Sequence, residues 1–380
     1  MSSNPLSALR DDDAPGTRLS AEGLVLAGRR RVRRRRNAIV GTAFALVLVL
    51  TAGVAAVAGT RPAARPAIPD PPVPTASPTA ACTVDLLPVP DGRELLAPVV
   101  DPTGHWAAAR LSDRNGAVIW HDGVIDAVYT DIDIIALHGI SAKGAAVATA
   151  TVDGRLRAIT LRRDYKVVLT LPQGASAQSV TYGMGINAGG DVVGYYDPAD
   201  GNRRPILWRF KEPLAPVLLA TPGNQEGGAL SIADDGRVGG FLGAIDNSPK
   251  PYLWGADGTG RQLPLADRQA DGTVGAIAGS WAADLGNSVR WRLDEPAIAT
   301  RVEVSQAAAV GLAGDGTMLY GGARSAVLWG VGSPRRLALP PGYSSYLTGT
   351  ISADGRVAAG AARQPKNNGG GAPFLWHCTG

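Results

Sequence analysis

The segment Gly185-Ile186-Asn187-Ala188-Gly189-Gly190-Asp191-Val192-Val193-Gly194-Tyr195-Tyr196 decides the fold. After a polar loop it is followed by Pro205-Ile206-Leu207-Trp208 and Ala215-Pro216-Val217-Leu218-Leu219. An apolar run ends in a Gly-rich turn; then come a run of small apolar residues, a Leu-Trp run and a Leu/Val/Pro run. Gly-Gly or Asp-Gly between two apolar runs is a strong hairpin signal. It predicts a type I′ turn, which needs positive φ at both central residues. The unit therefore reads as four short antiparallel strands.

The same order recurs along the chain. A second copy has Ser231-Ile232-Ala233-Asp234-Asp235-Gly236-Arg237-Val238, then Pro251-Tyr252-Leu253-Trp254 and Arg261-Gln262-Leu263-Pro264-Leu265. A third has Ala313-Gly314-Asp315-Gly316, Ala326-Val327-Leu328-Trp329 and Arg336-Leu337-Ala338-Leu339-Pro340. A fourth has Ile351-Ser352-Ala353-Asp354-Gly355-Arg356-Val357 and Pro373-Phe374-Leu375-Trp376. Weaker copies lead to Trp120, to Thr160 in the place of the indole, and to Trp291. The marker positions 120, 160, 208, 254, 291, 329 and 376 are 40, 48, 46, 37, 38 and 47 residues apart. No stretch after residue 60 holds a 3.6-residue period, so few helices are expected. Seven units of this length and four strands each predict an all-β, seven-bladed β-propeller over residues 82–380. The indoles Trp120, Trp208, Trp254, Trp291, Trp329 and Trp376 share one repeat position. That places them between neighbouring sheets; a ligand-stacking ring is the alternative. Trp106 and Trp281 lie outside this register.

The last copy stops after its Trp run. Residues 83–89, Thr83-Val84-Asp85-Leu86-Leu87-Pro88-Val89, read like the missing fourth strand and are expected to close the last blade. Antiparallel pairing would then set Cys82 beside Cys378, within reach of a disulfide. Closing a loop of about 297 residues would stabilise the fold by roughly 5 kcal/mol in the chain-entropy treatment. Two unpaired thiols are the alternative.

The Gly-Ile-Asn-x-x-Gly-x-Val-Val-Gly run followed by a Leu-Trp run resembles the extracellular HAF-type repeat family, over roughly residues 98–380. The His-Ala-Phe triplet is replaced here by Arg204-Pro205-Ile206, Lys250-Pro251-Tyr252 and Ala372-Pro373-Phe374. The resemblance implies a secreted or surface propeller and no defined activity.

The 380-residue chain has a net charge of +4, with 45% hydrophobic and 18% charged residues. Such a charge hints at nucleic acid or a membrane surface until it is partitioned. Residues 1–37 carry nine Arg and four acids, whereas residues 82–380 carry 26 basic and 28 acidic residues. The basic signal is the run Arg29, Arg30, Arg31, Arg33, Arg34, Arg35 and Arg36. It abuts residues 38–59, which contain no charged residue. Twenty-two helical residues span about 33 Å, enough for a hydrocarbon core of about 30 Å. The arginines then place residues 1–37 in the cytoplasm as a basic tail, with residues 38–59 in contact with membrane lipid as one transmembrane helix. A cleaved signal peptide is the alternative, but its apolar region is usually shorter. Residues 60–81 hold seven prolines and read as an extended extracellular linker. A nucleic-acid partner is not expected.

Two cysteines and four scattered histidines offer no Cys/His metal cluster, and no cofactor is expected. Asp126, Asp131 and Asp133, or Asp197, Asp200 and Asn202, have calcium-like residue types but read better as solvated turns. Gly255-Ala256-Asp257-Gly258-Thr259-Gly260 follows a strand but precedes no helix, so it reads as a hairpin rather than a phosphate loop. No His-Glu-x-x-His or Gly-x-Ser-x-Gly occurs, and Ser352-Ala353-Asp354-Gly355 departs from a sialidase Asp box in spacing and in lacking its Trp. His105, His121, His138 and His377 fall in different predicted blades or edges. The leading expectation is a single-pass membrane protein whose extracellular propeller is not an enzyme and binds a protein or glycan at one face. The alternatives are a transmembrane regulator, anti-sigma-like, acting through a cytoplasmic partner of residues 1–37, and a propeller lyase or glycosidase.

Overall fold

The computed structural model describes residues 82–90, 93–163, 165–199, 201–244, 248–266, 271–294, 297–302, 308–322, 325–330, 334–343, 345–363 and 371–379. The expected cytoplasmic tail, transmembrane helix and linker, residues 1–81, lie outside them. Among the described residues no helix is long and apolar enough to cross a membrane.

The described chain is all-β. It opens with β1 (Cys82–Leu86), then β2 (Leu95–Val100), β3 (Trp106–Leu111), β4 (Asn115–His121) and the long β5 (Val124–Ile140). β6 (Ala146–Val152), β7 (Arg155–Arg162) and β8 (Tyr165–Val168) follow, and β2 to β8 form one seven-stranded sheet in chain order. Four-stranded meanders come next: β9 (Val180–Ile186), β10 (Val192–Asp197), β11 (Arg204–Arg209) and β12 (Glu212–Leu218); then β13 (Gly227–Ile232), β14 (Val238–Leu242), β15 (Lys250–Trp254) and β16 (Gly260–Gln262). β17 (Ala276–Ala278), β18 (Trp281–Asp284), β19 (Val289–Arg292) and β20 (Ile298–Arg301) make the next sheet. β21 (Ala308–Leu312), β22 (Met318–Gly322), β23 (Ser325–Trp329) and β24 (Arg335–Leu337) make another. The last, β25 (Ser345–Ile351), β26 (Val357–Arg363) and β27 (Ala372–Cys378), is completed by β1.

The first strands of the sheets, together with β5 from the middle of the seven-stranded one, touch in cyclic order: β2 with β5, then β9, β13, β17, β21, β25, and β25 with β2 again. The sheets therefore stand around an axis. β1 pairs antiparallel with β27, Cys82 opposite Cys378 and Leu86 opposite Phe374. The expected disulfide joins Cys82 and Cys378. The apolar core is distributed between sheets rather than central. Leu253, for instance, clusters with Ala282, Val289 and Trp291 of the following sheet and with Val274 just before it.

The repeated turns differ from the type I′ expectation. In Ala233-Asp234-Asp235-Gly236 the Gly236 amide donates to the Ala233 carbonyl at 3.0 Å. Gly236 alone is left-handed there, at φ 87°. This is a type I turn closed by a left-handed glycine, so only one residue needs positive φ. Consecutive positive φ occurs instead at Asp122-Gly123 (48° and 78°) and Asp153-Gly154 (50° and 73°), the two-residue hairpins at either side of β5 and β6.

Candidate functional site: the face formed by the first and third turns

Trp120, Trp208, Trp254, Trp291 and Trp376 are each at most 1% exposed; Trp329 is partly buried. Each of the five donates its indole Nε1–H to a main-chain carbonyl just past an outermost strand of the preceding unit. The acceptors are Pro88 (2.9 Å), Thr170 (2.8 Å), Ala220 (2.7 Å), Pro264 (2.7 Å) and Ala338 (2.6 Å), respectively. These contacts latch one sheet to the next while satisfying a buried donor.

The sequence places Thr160 in the indole position, and the strand register corrects this. Trp208 lies opposite Val192 and Trp254 opposite Val238, at the start of the second strand. The residue opposite the corresponding Ala146 is Leu161. A slip of one residue turns a side chain to the other face of its sheet. Leu161 has no side-chain N–H to take the indole's role, and β5 runs on where the other units have a loop after the outermost strand. The Tyr129 hydroxyl from β5 instead donates to the Arg162 carbonyl.

In a meander the turns after the first and third strands lie on one side. On that side two cavities adjoin across Arg162 and Tyr165. One is an apolar recess of about 210 Å³, between Val167 and Leu169 and, from the next sheet, Ile186, Val192 and Trp208, with Thr160 in its wall. Its mouth carries Arg162, Arg209, Tyr165 and Phe210. The Arg162 guanidinium lies 4.4 Å from the Phe210 ring centre and 5.9 Å from that of Tyr165, and donates to the Tyr165 hydroxyl at 3.0 Å. The other is a polar groove of about 440 Å³ reaching Trp106, His121, Asp126 and Lys143.

The groove wall is a stack. Trp106 and His121 are cross-strand partners whose rings lie 4.1 Å apart and nearly parallel, at 14°. The same indole abuts Gly144 (φ +72°), where an added Cβ would come within 2.6 Å of the ring. Trp281 abuts Gly316 in the same way. Trp106 and Trp281, outside the main Trp register, thus share a second packing pattern in which the start of a second strand grips the next unit's turn.

The sequence separates His105 and His121 into different blades or edges, but the β3–β4 pairing brings them to one carboxylate. Asp122 Oδ1 lies 2.7 Å from His105 Nδ1, and Asp122 Oδ2 3.5 Å from His121 Nε2. The hydrogen bond to Asp122 raises the His105 pKa and lowers that of Asp122, at a fully solvated site. The register signal Gly104-His105-Trp106 against His121-Asp122-Gly123 was the cue that sequence reasoning passed over. His377 lies 3.5 Å from Asp85 on β1.

The acids considered for calcium are dispersed. Asp126 faces Arg163 (3.5 Å), Asp131 faces Lys166 (2.8 Å) and Asp133 faces Arg114 (3.0 Å). Asp200 lies outside the described residues. Among those described, no three His, Cys, Asp or Glu side chains are grouped to hold a metal. Residues 255–260 form the β15–β16 hairpin, with Asp257 accepting from Thr259. Asp101, fully buried, accepts from the amides of Thr103 and Trp106, both at 2.8 Å, and so shapes its own turn.

Near the axis, His138 sits at a register shift in β5, between Leu137 and Gly139. Met184, Leu230 and Val310 occupy the same place in β9, β13 and β21. Burial lowers the His138 pKa from 6.5 to about 4. Because the folded pKa is depressed, the neutral ring's contribution is complete above 6.5 and lost as pH falls toward 4. The window corresponds to at most about 3 kcal/mol. Urea denaturation at pH 7.5 and pH 4.5 should show His138→Leu retaining more of its stability than wild type at the lower pH. An equal loss in both proteins would remove His138 from the acid response.

A comparison with protein-family models and with curated proteins yields no match. Solved structures do match. Virginiamycin B lyase from Staphylococcus aureus, in its selenomethionine form, superposes with a TM-score of 0.53 at 12% identity, over 79% of this chain and 99% of that one. A streptogramin B lyase gives 0.51 at 12% identity, over 78% and 98%. The β-propeller domain of Cps50 (Swd1) from Myceliophteria thermophila gives 0.49 at 11% identity, over 78% and 100%. At such identities the two lyase superpositions carry the propeller fold and nothing of activity.

Proposed function

We propose that the chain is a seven-bladed propeller presented outside the cell on one membrane-spanning helix, residues 38–59, and that it serves as a non-catalytic binding module for a protein or glycan. The blade count follows if the seven-stranded sheet is two blades sharing β5, whose first half ends one blade and whose second half begins the next. The cyclic contacts of the first strands support that reading. The anchored topology is supported by the Arg29–Arg36 run, the uncharged residues 38–59 and the Pro-rich residues 60–81.

The observation that carries the non-catalytic reading is chemical. Six of the seven strands that surround the axis, β2, β9, β13, β17, β21 and β25, contain no Asp or Glu, and the three acids of the seventh, β5, are paired: Asp126 with Arg163, Asp131 with Lys166 and Asp133 with Arg114. Asp101, Asp257 and Asp354 instead hold their own turns. The groove beside Trp106, His121 and Tyr165 offers what a partner needs: aromatic surface, Lys143, Arg162 and Arg163 on a rigid scaffold.

Two measurements test this. Protease applied to intact cells should remove the propeller from the full chain, and deletion of residues 38–59 should abolish membrane association; a full chain that fractionates as soluble would overturn the anchor. The protein should also show no turnover of virginiamycin B or of a polysaccharide panel, while a Tyr165→Ala, Lys143→Ala double variant loses binding on a glycan or surface-protein array without a change in Tm. Sustained turnover would overturn the binding-module reading.

A further inference from the structure

Each residue one place before an indole position turns the other way, toward the following unit. In chain order these are Ile119, Leu207, Leu253, Arg290, Leu328 and Leu375. Four of them fill the space beside the next indole: Leu207 clusters with Trp254, Leu253 with Trp291, Leu328 with Trp376 and Leu375 with Trp120. Opposite Trp208 the corresponding residue is Thr160, paired with Val147. It is the smallest of the set, and the recess lies there. The neighbouring sheets do not close the gap, because the latch from Trp208 to the Thr170 carbonyl holds them at the common spacing.

A void of about 150 Å³ with apolar walls accepts a benzene-sized molecule; the recess is about 210 Å³. Its walls are aliphatic and aromatic, and its mouth is basic. Arg162 is held in place by Phe210 and the Tyr165 hydroxyl, and Arg209 stands beside it. A guanidinium fixed by aromatic faces loses little freedom on meeting an anion and matches a carboxylate bidentately.

We propose that this recess is a binding site for a small aromatic or branched-chain carboxylate. Its apolar end takes the place of the missing leucine against Trp208, and its carboxylate meets Arg162. The proposal does not depend on which macromolecule engages the groove.

The test uses the full chain in lipid nanodiscs and fluorine NMR, with 4-fluorobenzoate and the neutral 4-fluorobenzyl alcohol as probes. Wild type should bind 4-fluorobenzoate saturably with Kd of order 1 mM. Thr160→Leu, which rebuilds the common packing, should abolish saturable binding of both probes while melting at or above the wild-type temperature. Arg162→Gln should weaken 4-fluorobenzoate about tenfold, the size of one charged hydrogen bond, and leave the alcohol unchanged. This second variant lies at the mouth and leaves the sheet packing alone, so it decides the matter even if Thr160→Leu does not fold. The proposal is overturned if wild type binds neither probe saturably, if folded Thr160→Leu binds both as wild type does, or if Arg162→Gln affects the two probes equally.

Discussion

Replacing Trp254 by alanine is expected to destabilise the propeller by about 3–5 kcal/mol, the usual cost of removing a fully buried large aromatic. The side chain is fully buried and lies edge-on to Tyr252, with ring centres 4.8 Å apart. Its Nε1–H donates to the Ala220 carbonyl of the preceding unit at 2.7 Å. Trp254→Phe keeps much of the packing and loses the hydrogen bond, so its cost should be smaller, about 1–3 kcal/mol. Urea denaturation of the two variants separates burial from latch. If Trp254→Ala stays within about 1 kcal/mol of wild type, the indole is not holding these sheets together.

Replacing both Cys82 and Cys378 by serine is expected to cost about 2–5 kcal/mol and to lower Tm by roughly 5–15 °C. The bond spans a sequence separation of 296. Apart from its pairing with β27 the stabilised strand is weakly packed: along β1 no residue is fully buried, and Leu86 is 52% exposed. Opening β1 also withdraws the Pro88 carbonyl from Trp120, so the first and last units lose one latch together. Hydrogen exchange should accelerate at the β1 amides in the serine variant before it does in β10 or β14. Equal protection of β1 with and without the disulfide would show that strand pairing alone closes the ring.

Much of this architecture was legible in the linear sequence. The Asp-Gly and Gly-Gly turns, the Leu-Trp runs and their spacing are local features, and local features specify strands and their order. The fourth strand supplied by the N-terminal segment was legible too, because the last copy ends one strand short and Thr83–Leu86 resembles the strand it lacks. The turn type was not. Gly236 takes positive φ alone, because Asp234 and Asp235 complete a type I turn by ordinary right-handed geometry. The error at Thr160 has the same origin. A weak copy without its indole offers no mark of register, and adjacent residues in a strand point to opposite neighbours.

By itself the sequence determined the repeat, the strand order and the pair of cysteines that joins the ends, because each depends on residues close in the chain or on a period that can be counted. Tertiary structure alone decided that Leu161 rather than Thr160 takes the indole position, that β5 runs unbroken through a seven-stranded sheet, that His105 and His121 share Asp122, and that a recess opens beside Trp208. The reason is physical. Each of these depends on how one sheet is registered and spaced against the next. The latch that sets that spacing joins an indole to a carbonyl some 27 to 38 residues away in the chain. A void exists only where that spacing is kept and one side chain is too small to fill it.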